Sequence, residues 1–228
     1  PGVIDNKVYN LISDLATSNK KLYATIGRDV YMTKDYGENW KKISKQGYNA
    51  NVIATNNERI FVSTGKNGII YSENDGENWT EKNKGLNTEH TDFSSIEIKG
   101  DNVYIASTGA IGGLYISTNN GDEWAKTNID ERATIFQEND TIYIWKNDGL
   151  YFINEEKSNW EKYLKKMNIT EIAFHHNKIF AGVTENDSII YKISTDNGKN
   201  WTNIKIQEGF SDYEKQQIRI ALLTENYA

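Results

Sequence analysis

The chain has 228 residues, of which 37% are hydrophobic and 25% charged, which suits a soluble globular protein with room for one large all-β domain or two small ones. Its net charge of −6 argues against a nucleic-acid partner or an anionic membrane surface. No apolar run approaches the ~18 residues of a membrane span, so no membrane insertion is predicted. The chain lacks cysteine, which excludes disulfides, thiolate metal sites and cysteine nucleophiles, and no cofactor is predicted.

The single proline is the first residue, Pro1. Turns must therefore be built from Gly, Asn and Asp, which are plentiful. A chain that begins at Pro1 without Met is expected to be a processed product or an excised piece, from which any signal peptide is already missing.

Short apolar stretches recur in the same order along the chain. The first stretch of each period is LISDLA, NVIAT, SSIEI, ATIF or TEIAF, and the second is LYAT, IFVS, VYIA, IYIW or IFAG. A third stretch, such as DVYMT or GLYIS, leads into a polar motif that ends in Trp, and a fourth begins at that Trp. Four short strands separated by Gly, Asn and Asp are typical of one antiparallel propeller blade.

The polar motif itself is an eight-residue frame: Ser/Thr, one residue, Asp/Asn, one residue, Gly, two residues, Trp. Four copies fit it, namely TKDYGENW, SENDGENW, STNNGDEW and STDNGKNW, and INEEKSNW is a degenerate fifth. Their tryptophans recur about every forty residues, which is the range of propeller blades.

We therefore predict an all-β fold in a single domain, residues 1–228: a β-propeller of about five four-stranded antiparallel blades. The predicted repeats cover residues 7–44, 45–83, 91–128, 130–165 and 168–206. Residues 207–228 are predicted to add a terminal strand, which could complete a sixth blade with the N-terminal segment.

The frame resembles the Asp-box, or BNR, repeat of β-propellers found in sialidases, other glycosidases, sortilin-like sorting receptors and photosystem assembly factors. This resemblance implies the fold but no single activity, because the same box occurs in proteins of unrelated function.

The resemblance places each box at the hairpin between the third and fourth strands of its blade. There the Asp or Asn accepts backbone N–H bonds, Gly takes a positive φ, and the Trp ring is expected to be buried between sheets. Since Asp and Asn interchange, we interpret the box as a structural turn and predict no metal site. The predicted structural residues are Asp35, Gly37, Trp40, Asn74, Gly76, Trp79, Asn119, Gly121, Trp124, Asp196, Gly198 and Trp201.

A binding site is predicted on the face opposite the boxes, where the turns between second and third strands meet the connections between blades. The candidate ligand-binding residues are Arg28, Lys66, Asn67, His90, Thr108, Arg132, Trp145, Lys146 and Asp148.

Trp145 departs from the residues at its position in the other second strands, which are Thr25, Ser63, Ala106 and Gly182. Either it is a stacking platform for a sugar or aromatic ligand, or it fills volume between blades. We favour the second interpretation, because large aromatic side chains usually contribute by burial.

The sialidase resemblance implies three arginines that hold a carboxylate, a Tyr/Glu nucleophile, an acid/base Asp and an Arg-Ile-Pro signature. The chain has only Arg28, Arg59, Arg132 and Arg219, and it has no internal Pro for the signature. Arg59 is also predicted on the box face. We therefore predict no catalytic residues.

The predicted function is non-enzymatic binding or scaffolding outside the cytoplasm, through docking of a protein or glycan partner. The alternative is a glycoside hydrolase-like or sialidase-related carbohydrate-active protein, for which two carboxylates among Asp92, Asp130, Asp148 and Glu185 would suffice.

Overall fold

The structure is a computed structural model that describes residues 12–44, 47–57, 59–88, 92–108, 112–138, 140–146, 149–154, 159–165, 169–175, 178–186, 188–196 and 198–204. In these ranges it contains twenty β-strands and one short 3₁₀ helix, Gly65–Asn67. The strands form five sheets of four, each ordered as in the sequence.

The first blade contains β1 (Ile12–Ser18), β2 (Lys21–Ile26), β3 (Asp29–Thr33) and β4 (Lys41–Lys42). The second contains β5 (Ile53–Asn56), β6 (Arg59–Ser63), β7 (Ile69–Ser72) and β8 (Thr80–Glu81). The third contains β9 (Phe93–Lys99), β10 (Asn102–Ser107), β11 (Gly113–Ser117) and β12 (Ala125–Lys126). The fourth contains β13 (Ala133–Glu138), β14 (Thr141–Lys146), β15 (Gly149–Asn154) and β16 (Asn159–Lys165). The fifth contains β17 (Ile169–His175), β18 (Lys178–Glu185), β19 (Ser188–Ser194) and β20 (Thr202–Asn203).

The predicted all-β fold of about five four-stranded antiparallel blades is confirmed. The terminal strand predicted in residues 207–228, and with it a sixth blade, lies outside the described residues. The described residues fall into two compact units, within Pro1–Lys146 and within Asn147–Ala228. The first unit holds three complete blades with β13 and β14, and the second holds β15 to β20.

The core of the first unit lies between blades, because alternate residues of a strand point to opposite faces of its sheet. In β6, Ile60 and Val62 join Tyr23 and Met32 of the first blade in one buried cluster. Phe61, between them, joins a second cluster with residues of the third blade. All three β6 side chains are fully buried, so this strand is apolar on both faces.

Each Asp-box is a turn closed by its own side chains. In the second blade, the N–H of Gly76 donates to Ser72 Oγ at 2.9 Å, and the N–H of Asn78 donates to Asn74 Oδ1 at 2.9 Å. The equivalent bonds in the other three boxes span 2.8–3.1 Å. The box glycines have φ between 79° and 94°, a region in which a side chain is strained.

In the two boxes that carry Asp, the same hydrogen bonds stabilise the ionised side chain. The hydroxyl of Thr33 and the N–H groups of Asn39 lower the pKa of Asp35 to about 2. The pKa of Asp196 is also about 2, because it accepts from the backbone and side chain of Asn200 and from Ser194. The carboxylates therefore act as hydrogen-bond acceptors of the turn.

The second and third boxes also dock on the preceding blade. The indole N–H of Trp79 donates to the carbonyl of Ile43 at 2.9 Å, and that of Trp124 donates to the carbonyl of Lys82 at 2.9 Å. Both carbonyls follow the fourth strand of the blade before. The box thus fixes the angle between neighbouring blades as well as its own hairpin.

The residue before the box glycine makes a further contact with the preceding blade. Asp75 accepts from Lys21 Nζ at 2.7 Å and from Tyr23 at 3.1 Å. Burial alone would raise the pKa of Asp75, but its hydrogen bonds from Lys21, Tyr23 and other donors outweigh burial and lower it. In the next box, Asn120 accepts from Arg59 at 2.9 Å.

The expectation that box tryptophans are buried holds for Trp124, which is 3% exposed. It is wrong for Trp40, Trp79 and Trp201, which are half-buried. The indole N–H of Trp79 still reaches the carbonyl of Ile43, whereas that of Trp201 donates to the carbonyl of Gly198 in its own turn.

We expect Gly76→Ala to destabilise the protein more than Gly37→Ala. Both glycines have positive φ, which costs an added side chain about 1 kcal/mol. A Cβ on Gly76 would also lie 2.8 Å from the side chain of Ile43, whereas one on Gly37 would meet only its own Trp40 at 3.7 Å. Urea unfolding should show an additional loss of about 1–3 kcal/mol for Gly76→Ala. Equal losses would contradict docking of the box on the preceding blade.

Candidate functional site

The end of the blades opposite the boxes, here called the connector end, carries four exposed candidate residues. Arg28 lies in the turn between β2 and β3 with φ 75°, and Asn67 lies in the 3₁₀ helix between β6 and β7. Thr108 follows β10, and Arg132 precedes β13. These residues lie on turns between second and third strands or on a blade connection, as predicted.

The loops that carry them are tied to neighbouring segments by backbone groups. The carbonyl of Arg28 accepts from the N–H of Ala50 at 2.9 Å, and the carbonyl of Asn67 accepts from Asn83 Nδ2 at 2.8 Å. The N–H of Thr108 donates to the carbonyl of Asp92 at 3.2 Å. The exposed side chains of Arg28, Asn67 and Thr108 are therefore presented on backbone that is already positioned.

Two of the three arginines in the described residues have side chains without a polar partner there. The guanidinium groups of Arg28 and Arg132 have no hydrogen-bond or ion-pair partner among the described residues. Arg59, by contrast, lies at the box end, where it donates to the carbonyl of Gly100 at 2.7 Å and to Asn120. Only the connector end thus presents free guanidinium groups in this part of the chain.

The other candidate residues are less exposed or lie outside the described residues. Lys146 Nζ lies 2.6 Å from Glu131 Oε1, and its side chain is 13% exposed, so its charge is neutralised internally. Trp145 is half-buried opposite Thr134, whereas Thr25, Ser63 and Ala106 at its position in other blades are fully buried. His90, Asp148 and the side chain of Lys66 lie outside the described residues.

Of the carboxylates considered for hydrolysis, Asp130 pairs with Lys126 at 2.8 Å and Glu185 with Lys192 at 3.0 Å. Asp92 is exposed. Within the described residues, no three His, Asp or Glu side chains are grouped closely enough to hold a metal ion. No helix in that part of the chain is long and apolar enough to cross a membrane.

Sequence reasoning missed a cavity of about 700 Å³ between the first strands of the first four blades, β1, β5, β9 and β13. It is mainly polar and contains three carboxylates, Asp14, Glu97 and Glu138. The available signal was the acidic residue inside two of the first stretches, Asp14 in LISDLA and Glu97 in SSIEI.

Polar side chains on these first strands accept backbone N–H groups of the next first strand. Asp14 Oδ2 accepts from the N–H of Ile53 at 2.9 Å, and Ser95 Oγ accepts from the N–H of Ile135 at 3.0 Å. Burial raises the pKa of Glu97 to about 7; the N–H of Gln137 opposes this shift and the charge of Asp14 adds to it. These side chains accept backbone N–H groups at strand edges, which would otherwise be unpaired.

The fold and the boxes together define the class: a β-propeller whose four-stranded blades are closed by Asp-box turns. The sequence model of the Sortilin-Vps10 family, described as sortilin, neurotensin receptor 3, matches residues 28–225, and the chain belongs to this family. No curated protein matches the sequence.

Several solved structures share the fold at low sequence identity. YCF48 bound to D1 peptide is 14% identical, with a TM-score of 0.62 over 89% of this chain and 69% of that one. The GH74 xyloglucanase of Xanthomonas campestris is 11% identical, with a TM-score of 0.67 over 88% of this chain and 39% of that one. A chain of the nidogen/laminin complex is 13% identical, with a TM-score of 0.59 over 80% of this chain and 75% of that one.

We expect Glu97 to make the stability of the protein fall as pH rises. Its folded-state pKa is raised from 4.5 to about 7, so between these values the folded protein keeps a proton that the unfolded chain has lost. Relative to Glu97→Gln, the wild-type free energy of unfolding should drop by about 1–3 kcal/mol between about pH 5 and about pH 8. Parallel pH dependences of the two proteins in urea melts would contradict the assignment.

We expect Trp145→Ala to cost less stability than Trp124→Ala. Trp124 is 3% exposed, so its truncation should cost about 3–5 kcal/mol, whereas the half-buried Trp145 should cost about 1–2 kcal/mol. Thermal melts of the two variants measure the difference. A loss at Trp145 as large as that at Trp124 would make Trp145 a core residue and remove it from the candidate site.

Proposed function

We propose that this protein is a non-catalytic binding module that docks a protein partner through the connector end of its blades, outside the cytoplasm. The observation that carries the proposal is the pair of exposed guanidinium groups, Arg28 and Arg132, which have no partner among the described residues. Exposed arginines without an internal partner are suited to recognition, because the planar guanidinium holds its donors in a fixed geometry and so loses less conformational entropy per hydrogen bond formed than a lysine does.

The chemistry of arginine indicates what the partner presents. A guanidinium group forms two parallel hydrogen bonds with a carboxylate, which gives both affinity and orientation. The protein is acidic overall, with a net charge of −6, so general electrostatic attraction does not favour an acidic partner. Recognition therefore depends on the two local arginines, and the proposed ligand is an acidic peptide segment.

The contrast between the two ends of the blades supports the location. At the box end, contacts between blades already involve the side chains of Lys21, Arg59 and Asp75. Binding there would have to compete with the bonds that hold the fold together. Asn67 and Thr108 add exposed polar groups at the connector end.

Two neighbours of the same fold are compatible with a protein partner, since YCF48 is seen bound to D1 peptide and the other neighbour is a chain of a nidogen/laminin complex. A carbohydrate-active function is the alternative, favoured by the half-buried Trp145 and by the xyloglucanase neighbour. Sugars commonly stack on aromatic rings, so the binding of a glycan would be expected to depend on Trp145 more than on the arginines.

The test compares binding of a synthetic Glu-rich peptide with that of its Gln-substituted twin, by interferometry on the full chain. We expect the Glu peptide to bind more tightly and the double variant Arg28→Ala/Arg132→Ala to weaken binding about 10-fold or more, because each charge-assisted pair contributes about 1.5–3 kcal/mol. Lys41→Ala, an exposed cation on β4, is the matched control and should bind normally.

Equal binding of the two peptides, or an equal loss with Lys41→Ala, would contradict arginine-mediated docking. A glycan array and hydrolysis assays on aryl glycosides test the alternative with the same protein. Turnover that is lost on Asp92→Asn would replace the binding proposal with a hydrolase.

A further inference from the structure

The connection between the third and fourth blades carries three charged residues in succession, Asp130, Glu131 and Arg132. Acids this close to an arginine can pair with it locally, because a guanidinium group forms strong bidentate bonds with carboxylates. Here both acids bind lysines instead: Asp130 lies 2.8 Å from Lys126 Nζ, and Glu131 Oε1 lies 2.6 Å from Lys146 Nζ. The guanidinium of Arg132 has no polar partner among the described residues.

The pair between Lys146 and Glu131 is the more protected of the two. Its side chains are 13% and 42% exposed, compared with 35% and 74% for Lys126 and Asp130. Lys146 is the last residue of β14 and pairs in the sheet with Ala133, the first residue of β13. The sheet therefore holds its ammonium group beside the connection, where water screens the attraction to Glu131 less than at the open surface.

Backbone packing fixes the connection in place. The N–H of Leu114 donates to the carbonyl of Ile129 at 3.1 Å. A Cβ on Gly112 would lie 2.7 Å from the backbone nitrogen of Arg132 and 2.7 Å from the carbonyl carbon of Glu131, so the two segments approach as closely as only glycine allows. Since the backbone is held in this way, side-chain rotation decides which group pairs with Arg132.

We propose that Lys146 is a positioning residue of the connector end, which keeps Arg132 available by binding Glu131. Once released from Lys146, the Glu131 carboxylate needs only a change of rotamer to reach the guanidinium group next to it in the chain. Arg132 would then be neutralised by its own neighbour and could no longer form two parallel bonds with a partner's carboxylate. The inference rests on the proposed docking function, and it gives the internally paired Lys146 an indirect part in recognition.

The reactivity of Arg132 toward phenylglyoxal tests this pairing in the full chain without any partner. Phenylglyoxal modifies guanidinium groups, and an arginine held by a carboxylate reacts more slowly than a free one. We expect Lys146→Met and Lys146→Gln, which both remove the charge, to slow modification of Arg132 about 2- to 5-fold, the range of an exposed ion pair. Adding Glu131→Gln to Lys146→Met should restore the wild-type rate, because no carboxylate remains at position 131. Peptide mass mapping measures each arginine separately.

Lys192→Met is the matched control. Lys192 lies 3.0 Å from Glu185, their side chains are 13% and 43% exposed, and no arginine adjoins Glu185 in the sequence. This variant loses a comparable ion pair and should leave the modification of Arg132 unchanged. Arg28 reports on folding, since its rate in every variant should stay that of the wild type.

Binding of the Glu-rich peptide is the second readout. Lys146→Met should weaken it about 2- to 5-fold, and Glu131→Gln in the same chain should restore it, whereas a merely structural role of Lys146 would not be rescued by removing one carboxylate. Unchanged reactivity of Arg132 in both Lys146 variants, failure of Glu131→Gln to restore it, or an equal loss with Lys192→Met overturns the inference. A wild-type chain that does not bind the peptide overturns the proposed function instead, and the reactivity of Arg132 still decides which group Glu131 binds.

Discussion

The contact between an Asp-box and the preceding blade is the interaction on which the first unit depends. A four-stranded blade is apolar on both faces, so it cannot be stable until a neighbour covers it. The bond from Trp79 to the Ile43 carbonyl and the pair between Asp75 and Lys21 fix how that neighbour lies. Gly76 allows the approach, because a side chain there would overlap Ile43. The apolar clusters between blades follow from this alignment.

Because the boxes bind the preceding blade, the two ends of the blades present different polar groups. At the box end, charged and amide groups are paired across blades, as Arg59 is with Asn120. At the connector end, the backbone is tied by hydrogen bonds, but Arg28 and Arg132 have no partner among the described residues. Backbone held by hydrogen bonds, with free donors at one end, suits the proposed docking, and the same fold occurs in structural neighbours whose functions differ.

The first strands impose a different constraint. Their edges carry backbone N–H groups that no further strand of the same blade can pair, and side chains such as Asp14 and Ser95 accept these groups instead. Glu97 lies in this setting close to a second carboxylate, and burial raises its pKa to about 7. The polar cavity between the first strands is therefore a consequence of how blades meet, and the protonation of Glu97 is expected to change stability near neutral pH.

The sequence by itself determined the blade, its four strands and the box turn, because these depend on residues within about forty positions of one another. Ser72, Asn74 and Gly76 close their turn within eight residues, so the pattern is sufficient to predict it. Only the tertiary structure decided which side chains remain available. Lys146 is bound by Glu131, Trp79 reaches 36 residues back to Ile43, and Glu97 faces a cavity built from four blades. Such pairings depend on how blades pack, and packing leaves no local pattern in the sequence.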